Sequence, residues 1–91
     1  MKILNDSRKT SNWFTAIIAG RWVQAKIYNE GSEYGINGGR ISKLWISKDV
    51  NPANVSGDDY SYDRGLDYNN LTDATILPKV LKALEALPVL K

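Results

Sequence analysis

The run RWVQAKIY at residues 21–28 alternates Val23, Ala25 and Ile27 with Trp22, Gln24, Lys26 and Tyr28, which is the period of a strand with one aliphatic face and one aromatic and polar face. The preceding run, NWFTAIIA at 12–19, is equally rich in aromatic and β-branched residues. Ala19-Gly20 between the two is a connection of hairpin length, so the pattern predicts an antiparallel pair. RISKLWISK at 40–48 repeats the alternation, with Leu44 and Ile46 on one face and Ile41, Lys43 and Trp45 on the other. NPANVSGDD, punctuated by Pro and Gly, is expected as a loop, and YSYDRG at 60–65 as a short fourth strand on an edge.

The period changes towards the C-terminus. LTDATILPKVLKALEALPVLK carries Ile76, Leu77, Val80, Leu81, Leu84 and Leu87 at spacings of three and four, the apolar stripe of an amphipathic helix. Thr72 is the expected N-cap, with Asp73 beside the positive end of the helix dipole and Leu71 placed to pack on Ile76. Pro78 inside this pattern removes one backbone donor and crowds the carbonyl of Ala74, so either the first turn is separate or the helix kinks. Pro88 marks the end.

One such helix covers one face of a small sheet. The pattern therefore predicts an α+β fold, an antiparallel sheet of three to four strands with one C-terminal helix on its aliphatic face. A single domain is expected over 12–91, preceded by an N-terminal arm at 1–11. The other sheet face would show Trp22, Lys26, Tyr28, Lys43 and Trp45 to solvent, and aromatics interleaved with cations are enriched where proteins bind partners. A second small core beneath the N-terminal arm or the 49–59 loop is the alternative home for the Trp residues.

Length and composition narrow the picture. At 91 residues the chain makes one small domain with a thin core, and 43% hydrophobic residues is too apolar for a disordered chain. With neither His nor Cys, the usual metal ligands and neutral-pH proton relays are missing, and no pair of carboxylates is spaced to set one pKa against the other. The Asp-rich GDDYSYD lacks the alternating pattern of a calcium loop. No enzymatic activity, cofactor or metal is therefore expected. The absence of Cys, of an apolar leader and of any long apolar run leads to the expectation of a cytoplasmic protein with no membrane span.

Charge is unevenly placed. Residues 1–48 carry a net +5, residues 49–78 a net −5, and the whole chain +2. A basic surface without a matching acidic block is the footprint of nucleic-acid binding, so this distribution does not favour it. The Gly-rich stretch NEGSEYGINGGRISK admits two readings. Asn37-Gly38 is a strong turn dipeptide, which accounts for the composition with no ligand; Arg40 would then pair with Glu33 or Asp63. Alternatively, exposed N–H groups of the loop, backed by Arg40 and Lys43, cradle an anion. Neither the Walker nor the dinucleotide fingerprint can be laid over GINGGRISK.

Ser32-Glu33-Tyr34-Gly35-Ile36, then Gly38-Gly39-Arg40-Ile41-Ser42-Lys43-Leu44, and downstream Tyr62-Asp63-Arg64-Gly65, resemble a family of small uncharacterised bacteriophage and prophage proteins with a SEYGI-x-GGRISKL … YDRG signature. The resemblance spans roughly residues 13–67, and Leu66 stands where that family usually has an aromatic. It implies a phage or mobile-element accessory protein that acts in the host cytoplasm by stoichiometric binding. Inhibition of a host defence protein is the leading expectation. A sponge for a phosphorylated nucleotide-type signal and a single-strand nucleic-acid binder are the alternatives. Candidate partner- or ligand-binding residues are Trp22, Lys26, Tyr34, Arg40, Lys43, Trp45 and Arg64. An apolar sheet face left open by one helix also leads to the expectation of a homo-oligomer.

Overall fold

The computed structural model of the protein describes residues 1–50 and 59–90. Six strands, β1 (Lys2–Ser7), β2 (Trp13–Ile18), β3 (Arg21–Ile27), β4 (Ile41–Ile46), β5 (Tyr60–Asp63) and β6 (Leu66–Asn69), form one antiparallel sheet in chain order. A one-turn helix, α1 (Arg8–Ser11), links the first two strands, and α2 (Ile76–Glu85) follows the last. The α+β class and the C-terminal helix agree with the sequence pattern, but the sheet has six strands rather than three to four. Both unexpected strands lie at the edges. Every residue of β6 and all but Ser7 of β1 are exposed, so neither carries the alternation by which half-buried strands are recognised. The segment expected as an arm supplies β1 and α1, and the Arg8 guanidinium donates to the Pro88 carbonyl at 2.9 Å.

The central hairpin forms where the pattern placed it. Ala19 (φ 52°) and Gly20 (φ 73°) both lie in the left-handed region, the two-residue type I′ turn whose twist matches that of paired strands. Phe14, Ala16 and Ile18 of β2, Val23, Ala25 and Ile27 of β3, and Leu44 and Ile46 of β4 share one face and are buried with Tyr60 against Ile76, Val80 and Leu84 of α2. Full burial of one such Leu, Ile, Val or Phe side chain stabilises by about 1.5–3 kcal/mol relative to exposure. Only three buried side chains of α2 join this cluster, so each carries much of the docking of the helix.

Ile41 departs from the alternation. It belongs by parity with Lys43 and Trp45, yet it is 1% exposed in the helix-side core. The cause is a β-bulge: Lys26 pairs with Lys43 and Ile27 with Ile41, so Ser42 is an extra residue on β4 that returns Ile41 to the aliphatic face.

Helix α2 begins at Ile76 rather than near residue 73, with Thr75 at the N-cap. Asp73 Oδ1 accepts from the Thr75 N–H at 2.9 Å and from its hydroxyl at 2.7 Å, which closes a separate turn before the helix. Pro78 thus falls on the third helical residue, in the first turn, where a backbone donor would have no intrahelical acceptor. Of the loop expected at NPANVSGDD, residues 51–58 lie outside the described residues. No helix among the described residues is long and apolar enough to cross a membrane.

Candidate functional site

On the face of the sheet away from α2 lies a cleft of about 410 Å³. Strand β3 and the residue just beyond it bring Lys26 and Tyr28 to its wall, and the following loop adds Ser32 and Tyr34. The bulged start of β4 contributes Ser42 and Lys43, and the β5–β6 turn contributes Arg64. The bulge that buries Ile41 is thus what sets Ser42 beside Lys43 at the cleft.

Register decides the electrostatics. Trp13 pairs with Lys26, Lys26 with Lys43, and Lys43 with Asp63, so the two ammonium-bearing residues stand directly opposite each other on adjacent strands. Like charges in that position repel and destabilise a sheet. Lys26 has no carboxylate partner among the described residues; its Nζ lies 5.9 Å from the Trp13 ring centroid and 5.8 Å from that of Tyr28. Lys43 Nζ and Arg64 Nε share one counter-charge, Asp63 Oδ1, at 3.6 and 3.7 Å. One carboxylate therefore stands against three cations. Arg64 itself has φ 55°, a left-handed conformation that Gly or Asn adopts more cheaply.

The rim is tied down by hydrogen bonds. Tyr62 Oη donates to the Tyr34 carbonyl at 2.9 Å, and the Arg64 N–H donates to the Ser42 carbonyl at 2.8 Å. The Gly-rich loop uses its own donors: the N–H groups of Ser32, Gly35, Gly38 and Gly39 go to the carbonyls of Gly39, Ser32, Gly35 and Ile36. The alternative reading of this loop, an anion cradle, thus finds these donors already engaged.

Arg40 stands elsewhere. Its N–H donates to the Glu85 carboxylate at 3.1 and 3.2 Å, its Nε to the Tyr28 carbonyl at 2.9 Å, and its Nη1 to the carbonyls of Glu85 and Leu87 at 3.3 and 2.7 Å. The guanidinium caps the negative end of α2 and lines no part of the cleft, and its partners are neither Glu33 nor Asp63. A Cβ on Gly35 would run into the backbone carbonyl of Gly39, which explains a glycine there by close approach.

The three tryptophans have different fates. Trp13 and Trp45 stack with ring centroids 5.3 Å apart, and the Trp45 indole donates to Ser61 Oγ at 3.1 Å, which in turn donates to Asp67 at 3.0 Å. Both are half-buried, whereas Trp22 is 6% exposed and is not offered to solvent as the open-face expectation required.

Of the candidate residues, Lys26, Tyr34, Lys43 and Arg64 therefore converge on one cleft. Trp45 lies on the same sheet face, and Trp22 and Arg40 are structural. Tyr28 is legible as an open-face residue; Ser32 and Ser42 stand in the sequence only as members of the signature, and the bulge that recruits Ser42 is invisible in the alternation.

A second cleft, of about 420 Å³, includes Arg21, Asp59 and Thr72. There the Arg21 guanidinium bonds both the Asp59 carboxylate and the Ser47 carbonyl, so its charge is answered within the chain. Among the described residues no group of three or more Asp or Glu side chains is placed to hold a metal ion.

A family model described as Domain of unknown function (DUF7678) matches residues 12–86, and the chain belongs to that family. The match takes in β2 through α2, and hence every residue of the cleft, and leaves β1 outside. No curated protein and no solved structure matches the chain.

Proposed function

We propose that the chain is a non-enzymatic binding protein that holds an anionic partner in the cleft on the open face of its sheet. The observation that carries this reading is the cross-strand row of Lys26, Lys43 and Asp63, with Arg64 beside it: repulsion between like charges is left in the free protein and relieved when an anion enters. Locally unfavourable choices that converge on one concave site are a mark of function rather than of stability. The resemblance of the SEYGINGGRISKL and YDRG segments to phage and prophage proteins supports an accessory role in the host cytoplasm, exerted by stoichiometric binding. The leading expectation, inhibition of a host defence protein, requires an acidic segment of that protein to seat in the cleft.

Two other partners were expected. A small phosphorylated ligand is favoured by the concavity of the site. Single-stranded nucleic acid is not, because Trp13 and Trp45 stack on each other and Trp22 is buried, which removes the tryptophan platforms on which a run of bases would stack. A homo-oligomer joined through the open face would cover the cleft, and light scattering that shows a strict monomer at high concentration counts against it. The host-protein reading is tested by retention of a host protein on immobilised wild-type chain, released by salt and lost in Lys26→Glu and Lys43→Glu. Equal retention by the charge-reversed variants removes the cleft from the account.

A further inference from the structure

We infer that the cleft takes a phosphate monoester carried on a planar ring, a ligand of the mononucleotide class, one per chain. The inference rests on the cleft being the binding site and goes on to name what fills it. Charge is the first argument. Lys26, Lys43 and Arg64 against Asp63 leave two positive charges unanswered, and a phosphate monoester carries about −1.5 to −2 at pH 7. An isolated carboxylate carries one, and the site is wide enough for a single ligand rather than a helix: about 410 Å³ is within the ~300–1,000 Å³ typical of small-molecule pockets.

Chemistry of the walls is the second argument. Ser32 and Ser42 put hydroxyls beside the cations, and hydroxyl with ammonium and guanidinium is a donor set for phosphate oxygens. Tyr28 and Tyr34 remain 41% and 53% exposed at the rim, and large exposed rings beside a phosphate site are surfaces on which a flat heterocycle stacks. The Tyr34 backbone is fixed by Tyr62 Oη, so this ring is presented from an anchored loop.

Arg64 supplies the third. The tip of the β5–β6 hairpin holds it at φ 55°, and Asn would keep that turn at lower conformational cost. Arginine there gains nothing for the fold beyond a 3.7 Å contact with Asp63 at an exposed site, but it brings a forked donor to the cleft.

Calorimetric titration of the full chain with AMP, inorganic phosphate, adenosine and a hexaglutamate peptide tests this. We expect AMP to bind at one site per chain, at least tenfold more tightly than phosphate or adenosine alone. Lys26→Gln is expected to weaken AMP about tenfold, the loss of one charge-assisted contact. Tyr34→Ser should weaken AMP and leave phosphate unchanged. Arg64→Asn is expected to weaken AMP while the melting temperature of the free protein holds or rises, a combination that unfolding cannot produce. If hexaglutamate binds in a Lys26-dependent way and AMP binds no better than phosphate, the inference fails and the anionic cleft stands. If none of the four binds, both fail.

Discussion

The two faces of the sheet follow different rules. On the face beneath α2, each residue agrees with its neighbours: Phe14 lies opposite Ala25, Ala16 opposite Val23, and Leu44 and Ile46 continue the layer to β5, all buried with Val80 and Leu84. On the other face Lys26 confronts Lys43 across the strands, Lys43 and Arg64 share one carboxylate, and Arg64 occupies a left-handed position. The first arrangement is what stability alone would select. The second costs stability at each step, and in a domain of this size that cost persists only where something else is gained.

The contrast can be broken most forcefully on the covered side. Leu84→Ala empties a fully buried site in a helix docked by three buried residues, and a loss of about 2–5 kcal/mol is expected from the denaturant midpoint. Leu81→Ala should cost less, because Leu81 is only partly buried against the core. Arg40→Ala comes next. An exposed ion pair with Glu33 or Asp63 would make this substitution cost less than about 1 kcal/mol. The observed bonds to the carbonyls of Tyr28, Glu85 and Leu87 instead predict a loss of about 1.5–3 kcal/mol, the range for charged donors.

On the open side the sign should reverse. Arg64→Asn is expected to stabilise the free protein by about 0.5–1 kcal/mol, because Asn tolerates the left-handed region that costs arginine of order 1 kcal/mol. A destabilised variant would mean that Arg64 serves the fold.

The smallest effect concerns acid. The Arg8 guanidinium bonded to Asp6, and the Thr75 hydroxyl and N–H bonded to Asp73, hold both carboxyls below their ordinary value of 3.8. A lowered folded-state pKa contributes stability that is present above the unfolded value and lost as pH falls through the folded one. Urea midpoints should therefore decline on acidification below about pH 4, and less steeply in Asp73→Asn.

Much of this contrast is legible in the sequence, and unevenly so. The aliphatic face, the Ala19-Gly20 hairpin and the helix stripe follow from periodicity and turn chemistry, which are local, whereas α2 ends at Glu85, before the Pro88 that marked its expected end. The edge strands were not legible, because Leu66–Asn69 and most of Lys2–Ser7 are exposed on both faces and carry no period-two pattern. The cleft was legible in its members but not in its assembly. Lys26, Lys43 and Arg64 stood out as charges near aromatics, but their convergence depends on the register across β3, β4 and β5 and on the bulge at Ser42, which no local signal encodes. Arg40, inside the most conspicuous motif, owes its place to Glu85 and Leu87 at the far end of the chain.

Mapping of backbone amide shifts during titration with inorganic pyrophosphate decides whether the open-face cleft holds anions, because it reports every face of the molecule at once. The largest shifts are expected at Lys26, Tyr28, Tyr34, Lys43 and Arg64, with Trp22 and α2 unmoved and the response suppressed in Lys26→Gln/Lys43→Gln. Saturable shifts centred on Gly38, Gly39 and Arg40, or no saturable shifts on the open face, would contradict it.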